Sequence, residues 1–290
     1  MNDSIMNGKA RISDIIIKIL IYISAGFSVI LLIGIIGYVF IKGIGSVNFS
    51  FLTTVTSTLK KTVGIAGNIV NTLYIIVITL LIATPVGIGS AIYLNEYAKP
   101  GKLVRMIEFT TETLSGIPSI IFGLFGFIFF GSVLKLGYSI LTGSLTMTLM
   151  VLPLITRNTQ EALKTVPDSY RTGALGMGAE KWYMIRTILL PASMPGIITG
   201  IILAIGRIVG ESAALLFTAG SGYALPKTAA AFFDKIFQSG GTMTIQMYLS
   251  MQNGEYEIAF GIAVVLLILV LLINFLTHYL SSKFDVSKKK

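Results

Sequence analysis

The stretch Pro195-Gly-Ile-Ile-Thr-Gly-Ile-Ile-Leu-Ala-Ile-Gly-Arg207-Ile-Val-Gly-Glu211-Ser-Ala-Ala-Leu-Leu-Phe217 decides how the chain must be read. It is apolar enough to enter a bilayer, yet it carries an arginine and a glutamate. A charge at the centre of a membrane helix costs about 2.5–3.5 kcal/mol on insertion scales, and such residues face a protein interior or a water-filled path. Arg207 and Glu211 are four positions apart, so an unbroken helix would place them on one face. Gly200 and Ala204 extend that face, and small residues let a second helix approach closely. The expectation is a pair that points into a helix bundle along a permeation path. A buried ion pair that only locks helix packing is the other reading of the same residues.

The rest of the chain is built of similar material. Of 290 residues 54% are hydrophobic and 12% charged, with a mean hydropathy of +0.84. Apolar runs of about 20 residues recur, each able to cross ~30 Å of hydrocarbon. The fold class is therefore an all-α polytopic membrane protein, with six transmembrane helices expected near 19–41, 68–94, 110–134, 138–156, 192–217 and 257–281. Residues 1–67 read as an N-terminal segment, first span and external loop, 68–282 as the core, and 283–290 as a basic tail.

The net charge of +9 does not call for nucleic acid, because the basic residues gather in particular loops. Fifteen of the 22 Lys and Arg residues fall before the first span, after the second, after the fourth and after the last; six fall in the alternate loops. The positive-inside rule then places both termini and the 157–191 loop in the cytoplasm. The absence of cysteine excludes disulfides, thiol catalysis and cysteine metal sites. The single histidine, His278, sits near the end of the last span as an interfacial residue, so no metal site is expected. Residues 218–256, on the external side, can be a plain loop with interfacial helices or a cap over the pathway.

The cytoplasmic loop reads EALKTVPDSYRTGALGMGAEKWYMIRTILLP from Glu161. Pro167 is tolerated in a first helical turn, Asp168 or Ser169 can cap a helix there, and Gly176 and Gly178 permit a sharp turn after it. Ala174 and its small neighbours offer a low-profile surface, and Trp182, Tyr183 and Ile185 supply apolar anchors. An ordinary loop and a segment that docks into a partner's groove are both open readings.

This loop resembles the coupling-loop signature of ABC importer permeases, E-A-A-x3-G-x9-I-x-L-P. Gly178, Ile188, Leu190 and Pro191 match its spacing, and the E-A-A positions fall on Thr172, Gly173 and Ala174, of which only Ala174 agrees. Ser115-Gly-Ile-Pro-Ser-Ile-Ile-Phe-Gly-Leu-Phe-Gly126 and Gly206-Arg-Ile-Val-Gly-Glu-Ser-Ala-Ala-Leu-Leu-Phe217 look like motifs of phosphate-importer permeases. The segment Thr244–Phe260, with the final span, resembles the PstA family more than the PstC family.

The resemblance implies a permease of a bacterial cytoplasmic-membrane phosphate importer that pairs with a PstC-like permease, a cytoplasmic ATPase dimer and an external phosphate-binding protein. The chain has no GxxxxGK[ST] phosphate loop, so ATP and its magnesium would belong to the ATPase and no cofactor to this chain. Ala174, Gly178, Ile188, Leu190 and Pro191 would couple to the ATPase, and Arg207 with Glu211 would line the substrate pathway, since a guanidinium suits an oxyanion. Sulfate or molybdate would satisfy the same charge logic, and a membrane component of a phosphate-signalling complex is a reading of another class.

Overall fold

The computed structural model describes residues 12–57, 62–99, 101–226 and 228–284. Several of the basic residues used to orient the chain, Lys9, Arg11, Lys60, Lys61, Lys227 and the lysines after residue 284, lie outside those ranges. The first span is α1 (Ile12–Gly43), followed by the short α2 (Phe49–Thr53) and an antiparallel pair, β1 (Val55–Ser57) and β2 (Thr62–Ile65). The second span is α3 (Ala66–Ile92), which continues through a wide π turn to Tyr97. Pro85 sits inside α3, as Pro153 does inside α6 (Ile140–Lys164), and neither ends its helix. The last span is α13 (Tyr256–Phe284). The spans expected at 19–41, 68–94, 138–156 and 257–281 fall on these four helices, although α1 begins at Ile12 and α6 runs on to Lys164.

Among the described residues, five helices are long and apolar enough to cross a membrane, or six if one bent pair counts as a span; one of the five runs from Lys181 to Gly210 and ends short of the expected Phe217. That pair is α4 (Lys102–Gly116) and α5 (Ser119–Gly126, prolonged by a wide turn to Val133), bent by 103°. The span expected over 110–134 is thus a bent one, with its break at Ile117-Pro118. The residue before a proline is pushed out of the α region, and Ile117 is extended at φ −73°, ψ 131° ahead of Pro118. The apolar stretch 192–217 is likewise two helices, α9 (Leu190–Gly210) and α10 (Ala213–Thr218). Between them Glu211 is extended at φ −81°, ψ 124°.

The core lies where α3, α6, α9, α10 and α13 meet, around Ile75, Met147, Ile155, Ala204, Leu215 and Ile262. Gly196 and Gly200 seat α9 on α6. A Cβ at Gly196 would lie 2.6 Å from Ala162 Cβ, and one at Gly200 2.7 Å from Asn158 Cβ. The 218–256 segment contains α11 (Ala229–Asp234) and α12 (Met243–Gln252), and it is no loose loop. The amides of Asn68 and Asn71 donate to Gly241 O at 3.0 and 3.1 Å, Asn71 also donates to Gly222 O, and Met243 N–H donates to Thr72 Oγ1. Three polar residues at the start of a span thus hold this segment's backbone. Lys235 is buried there with its Nζ donating to Ser239 O at 3.0 Å, and desolvation pushes its pKa down. By contrast α1 is exposed along most of its length and leans on α13 at its C-terminal end, where Tyr38 meets Phe260 edge-on.

Candidate translocation path and coupling loop

Arg207 lies in the last turn of α9. Gly200, Ala204 and Ile208 of that helix are buried, whereas Leu203, Gly206, Arg207 and Gly210 form an exposed flank. The arginine therefore does not point into this chain's own bundle. Nor does it pair with Glu211: the four ion pairs among the described residues include neither. The expected i,i+4 contact requires helical backbone at Glu211, and the helix has already ended. Glu211 instead turns its carboxylate toward α10, where Oε1 accepts the Ala214 N–H at 3.1 Å. Thr244 Oγ1 donates to Glu211 O at 2.9 Å and fixes the backbone of the break from α12. The negative group caps the start of a helix, where unsatisfied N–H groups favour it. Beyond the break α10 packs so closely on α5 that a Cβ at Gly123 would lie 2.8 Å from Ala214 Cα. The interruption is thus inside the packed bundle, not at its edge.

At the far end of α6, the loop folds as α7 (Asp168–Gly176) and α8 (Lys181–Met184), with a wide turn over Ile185–Leu189 leading into α9. Neither Asp168 nor Ser169 caps α7 by a side-chain hydrogen bond; the N-cap is Pro167 and Asp168 is in the first turn. Gly178 has φ +84° and ends the helix in a Schellman turn: its N–H donates to Leu175 O, and Ala179 N–H to Ala174 O, each at 3.0 Å. The left-handed conformation favours glycine.

Ala174 is buried, at 3% exposure, against Leu163, Val166 and Met184, so it holds α7 to the loop's own small core and is not on the outer surface. Ile185 is in that core too, and Ile188 and Leu190 pack against it. Pro191 stands in the first turn of α9. The outer face carries Tyr170, Leu175, Met177, Trp182 and Tyr183, with Met177 85% exposed.

Sequence reasoning missed what fastens this loop. Arg171 donates through Nε and Nη2 to Glu96 Oε1 at 3.1 and 2.9 Å, through Nη1 to Val166 O and Asp168 Oδ1, and through Nη2 to Leu163 O. Glu96, at the end of the second span, is buried, and Asn95 donates to the same carboxylate oxygen at 2.7 Å. Lys181 donates to Glu96 O and lies 4.7 Å from the Tyr97 ring centroid. The run Asn95-Glu-Tyr-Ala-Lys99 is the only local signal, and 75 residues separate Glu96 from Arg171.

Known proteins resemble this chain in sequence and in fold. The chain is 40% identical over 190 residues to the probable ABC transporter permease protein YqgI of Bacillus subtilis (strain 168); the match covers 66% of this chain and spans 65% of that protein's length. It is 32% identical over 239 residues to the phosphate transport system permease protein PstA of Xylella fastidiosa (strain Temecula1), covering 80% of each. Its fold superposes with a TM-score of 0.69 on a chain of the bacterial alginate ABC transporter crystallised with an alginate pentasaccharide-bound periplasmic protein, at 14% identity over 94% of this chain and 96% of the other. Residues 83–286 match the binding-protein-dependent transport system inner membrane component, and the chain belongs to that family of multi-pass inner-membrane permeases.

Proposed function

We propose that this chain is one of two permeases in an ATP-driven phosphate importer. The observation that carries the reading is Arg207, a permanent cation left exposed on one flank of a membrane helix beside an interruption of that helix. Such a group is too costly to leave in hydrocarbon, so its flank faces a second permease or water. A cation where two permeases meet lowers the barrier to an anion, and transport needs a site strong enough to admit the ion and weak enough to release it. With Glu211 turned away to cap α10, its carboxylate does not neutralise the guanidinium. Phosphate is the oxyanion named for the Xylella relative, which supports it over sulfate or molybdate.

The rest of the assembly follows from the same reading. A PstC-like permease would supply the second wall, and an external phosphate-binding protein would deliver the ion. Both termini and the α7–α8 loop would lie in the cytoplasm. The exposed Tyr170, Leu175, Met177, Trp182 and Tyr183 would meet the groove of a separate ATPase subunit, and the Glu96–Arg171 pair would pass loop movement into the second span. The test is radiolabelled phosphate uptake in cells whose only high-affinity system includes this chain. ATP-dependent uptake should vanish on its deletion and return with the wild-type chain, with competition by arsenate and not by sulfate. Unchanged phosphate uptake after deletion contradicts the proposal.

A further inference from the structure

The 103° elbow between α4 and α5 roofs an apolar cavity of about 550 Å³. Its walls include Ile107 and Leu114 from α4, Ile121 and Phe125 from α5, and Leu149 and Leu152 from α6. The volume falls within the ~300–1,000 Å³ of small-molecule sites. Water needs two to four polar partners to occupy a cavity, and the polar side chains here are the hydroxyls of Ser90, Thr111 and Thr156, of which Thr111 already donates to Ile107 O. Hydrocarbon enters such a space without losing polar contacts. The cavity also has a polar neighbour. Leu94 and Thr111 line it and a second pocket, whose other residues include Glu108, Glu112, Arg157, Glu161 and Lys164. Arg157 and Glu112 are only loosely paired, at 3.8 Å with both side chains mostly exposed. On the reading that α5 crosses the membrane, α4, bent from it by 103°, lies close to the membrane plane. It does so at the end of the bundle that carries the α7–α8 loop. An apolar cavity thus adjoins a rim bearing both signs of charge at the depth of lipid head groups.

We propose that this is a phospholipid site. One acyl chain fills the cavity beneath the elbow, and a zwitterionic head group of the phosphatidylethanolamine kind rests on the rim. Its phosphate faces Arg157, and its ammonium faces the carboxylates of Glu108 and Glu112; Lys164 and Glu161, paired with each other at 3.1 Å, flank them. The rim favours a zwitterion over an anionic head group, because its three carboxylates outnumber its two cations. The lipid would prop α4 and α5 apart from α6. The proposal does not depend on which oxyanion is carried.

Membranes holding the chain with its natural partners would be supplied with phosphatidylethanolamine bearing a diazirine in the acyl chain, or with the matching phosphatidylglycerol, then irradiated and mapped by mass spectrometry. The phosphatidylethanolamine probe should label residues 107–125 and 149–152. Leu149→Trp, which fills the cavity, should lower that labelling several-fold while labelling of α1 is unchanged. Ile121→Trp, from the opposite wall, should do the same and serves if the first variant does not accumulate. Labelling of α1 without the cavity residues, as a partner permease seated in the groove would give, overturns the proposal. So does equal labelling of the cavity by phosphatidylglycerol.

Discussion

At the scale of single residues, the chemistry turns on the division between Arg207 and Glu211. The carboxylate spends its hydrogen-bonding capacity on the α10 amide, which leaves the guanidinium free on the exposed flank. Removing a helix-capping side chain costs about 0.5–2 kcal/mol. Glu211→Ala should therefore lower the thermal stability of the purified complex, and Glu211→Gln, whose carbonyl can still accept from Ala214 N–H, should retain most of it. Equal stability of the two variants would contradict the capping role. Both residues stand out in the sequence because charge in an apolar run is rare. Their relation does not, because the i,i+4 rule assumes a continuous helix. Here the helix is interrupted at Glu211, whose carbonyl accepts a hydrogen bond from Thr244, 33 residues away.

At the scale of elements, the loop proposed to meet the ATPase is a small structure with its own core and its own clamp. Breaking a buried ion pair from one side costs about 3–5 kcal/mol because the other charge is left unpaired. Arg171→Met should therefore loosen α7 from the second span and uncouple ATP hydrolysis from uptake, read as ATPase activity that substrate delivery no longer stimulates. A left-handed residue other than glycine costs roughly 1–2 kcal/mol. Gly178→Asp adds a charge to that strain at the outer tip and should uncouple likewise; wild-type coupling in this variant would remove Gly178 from the account. The spacing of Gly178, Ile188, Leu190 and Pro191 was legible because it is local. The inward turn of Ala174 and the Glu96 partner were not, since the pattern of small residues does not tell a smooth surface from a close-packed one.

The outer segment has an element-scale test of its own. Burial lowers the pKa of Lys235 below its ordinary 10.5. Between the folded value and 10.5 the unfolded chain binds more protons, so stability contributed at this position rises with pH through that window. Lys235→Met should flatten that rise in thermal unfolding of the solubilised protein as the pH is raised toward 10.5. An unchanged slope would show that the ammonium is not desolvated.

At the scale of the whole molecule, hydropathy locates four unbroken spans, because length and apolarity are sufficient for such a helix, but it does not set the start of α1 or the end of α6. It finds the other two as well but not the breaks in the apolar stretches they belong to, at Ile117-Pro118 and at Glu211-Ser212, since both stretches are as apolar as a straight span. These are the spans nearest the proposed function: one carries Arg207, and the other roofs the apolar cavity. The exposed α1 and the exposed flank of α9 leave membrane-depth surface for a second permease to cover, and that partner would complete a pathway of which this chain forms half.

The most direct test is ATP-driven phosphate uptake into vesicles containing the complete transporter, with the wild-type chain or Arg207→Gln, at matched abundance of every subunit. The account predicts that the glutamine variant assembles and hydrolyses ATP but moves little or no phosphate. Full uptake by a normally assembled Arg207→Gln complex would contradict the claim that this arginine serves the passage of the anion.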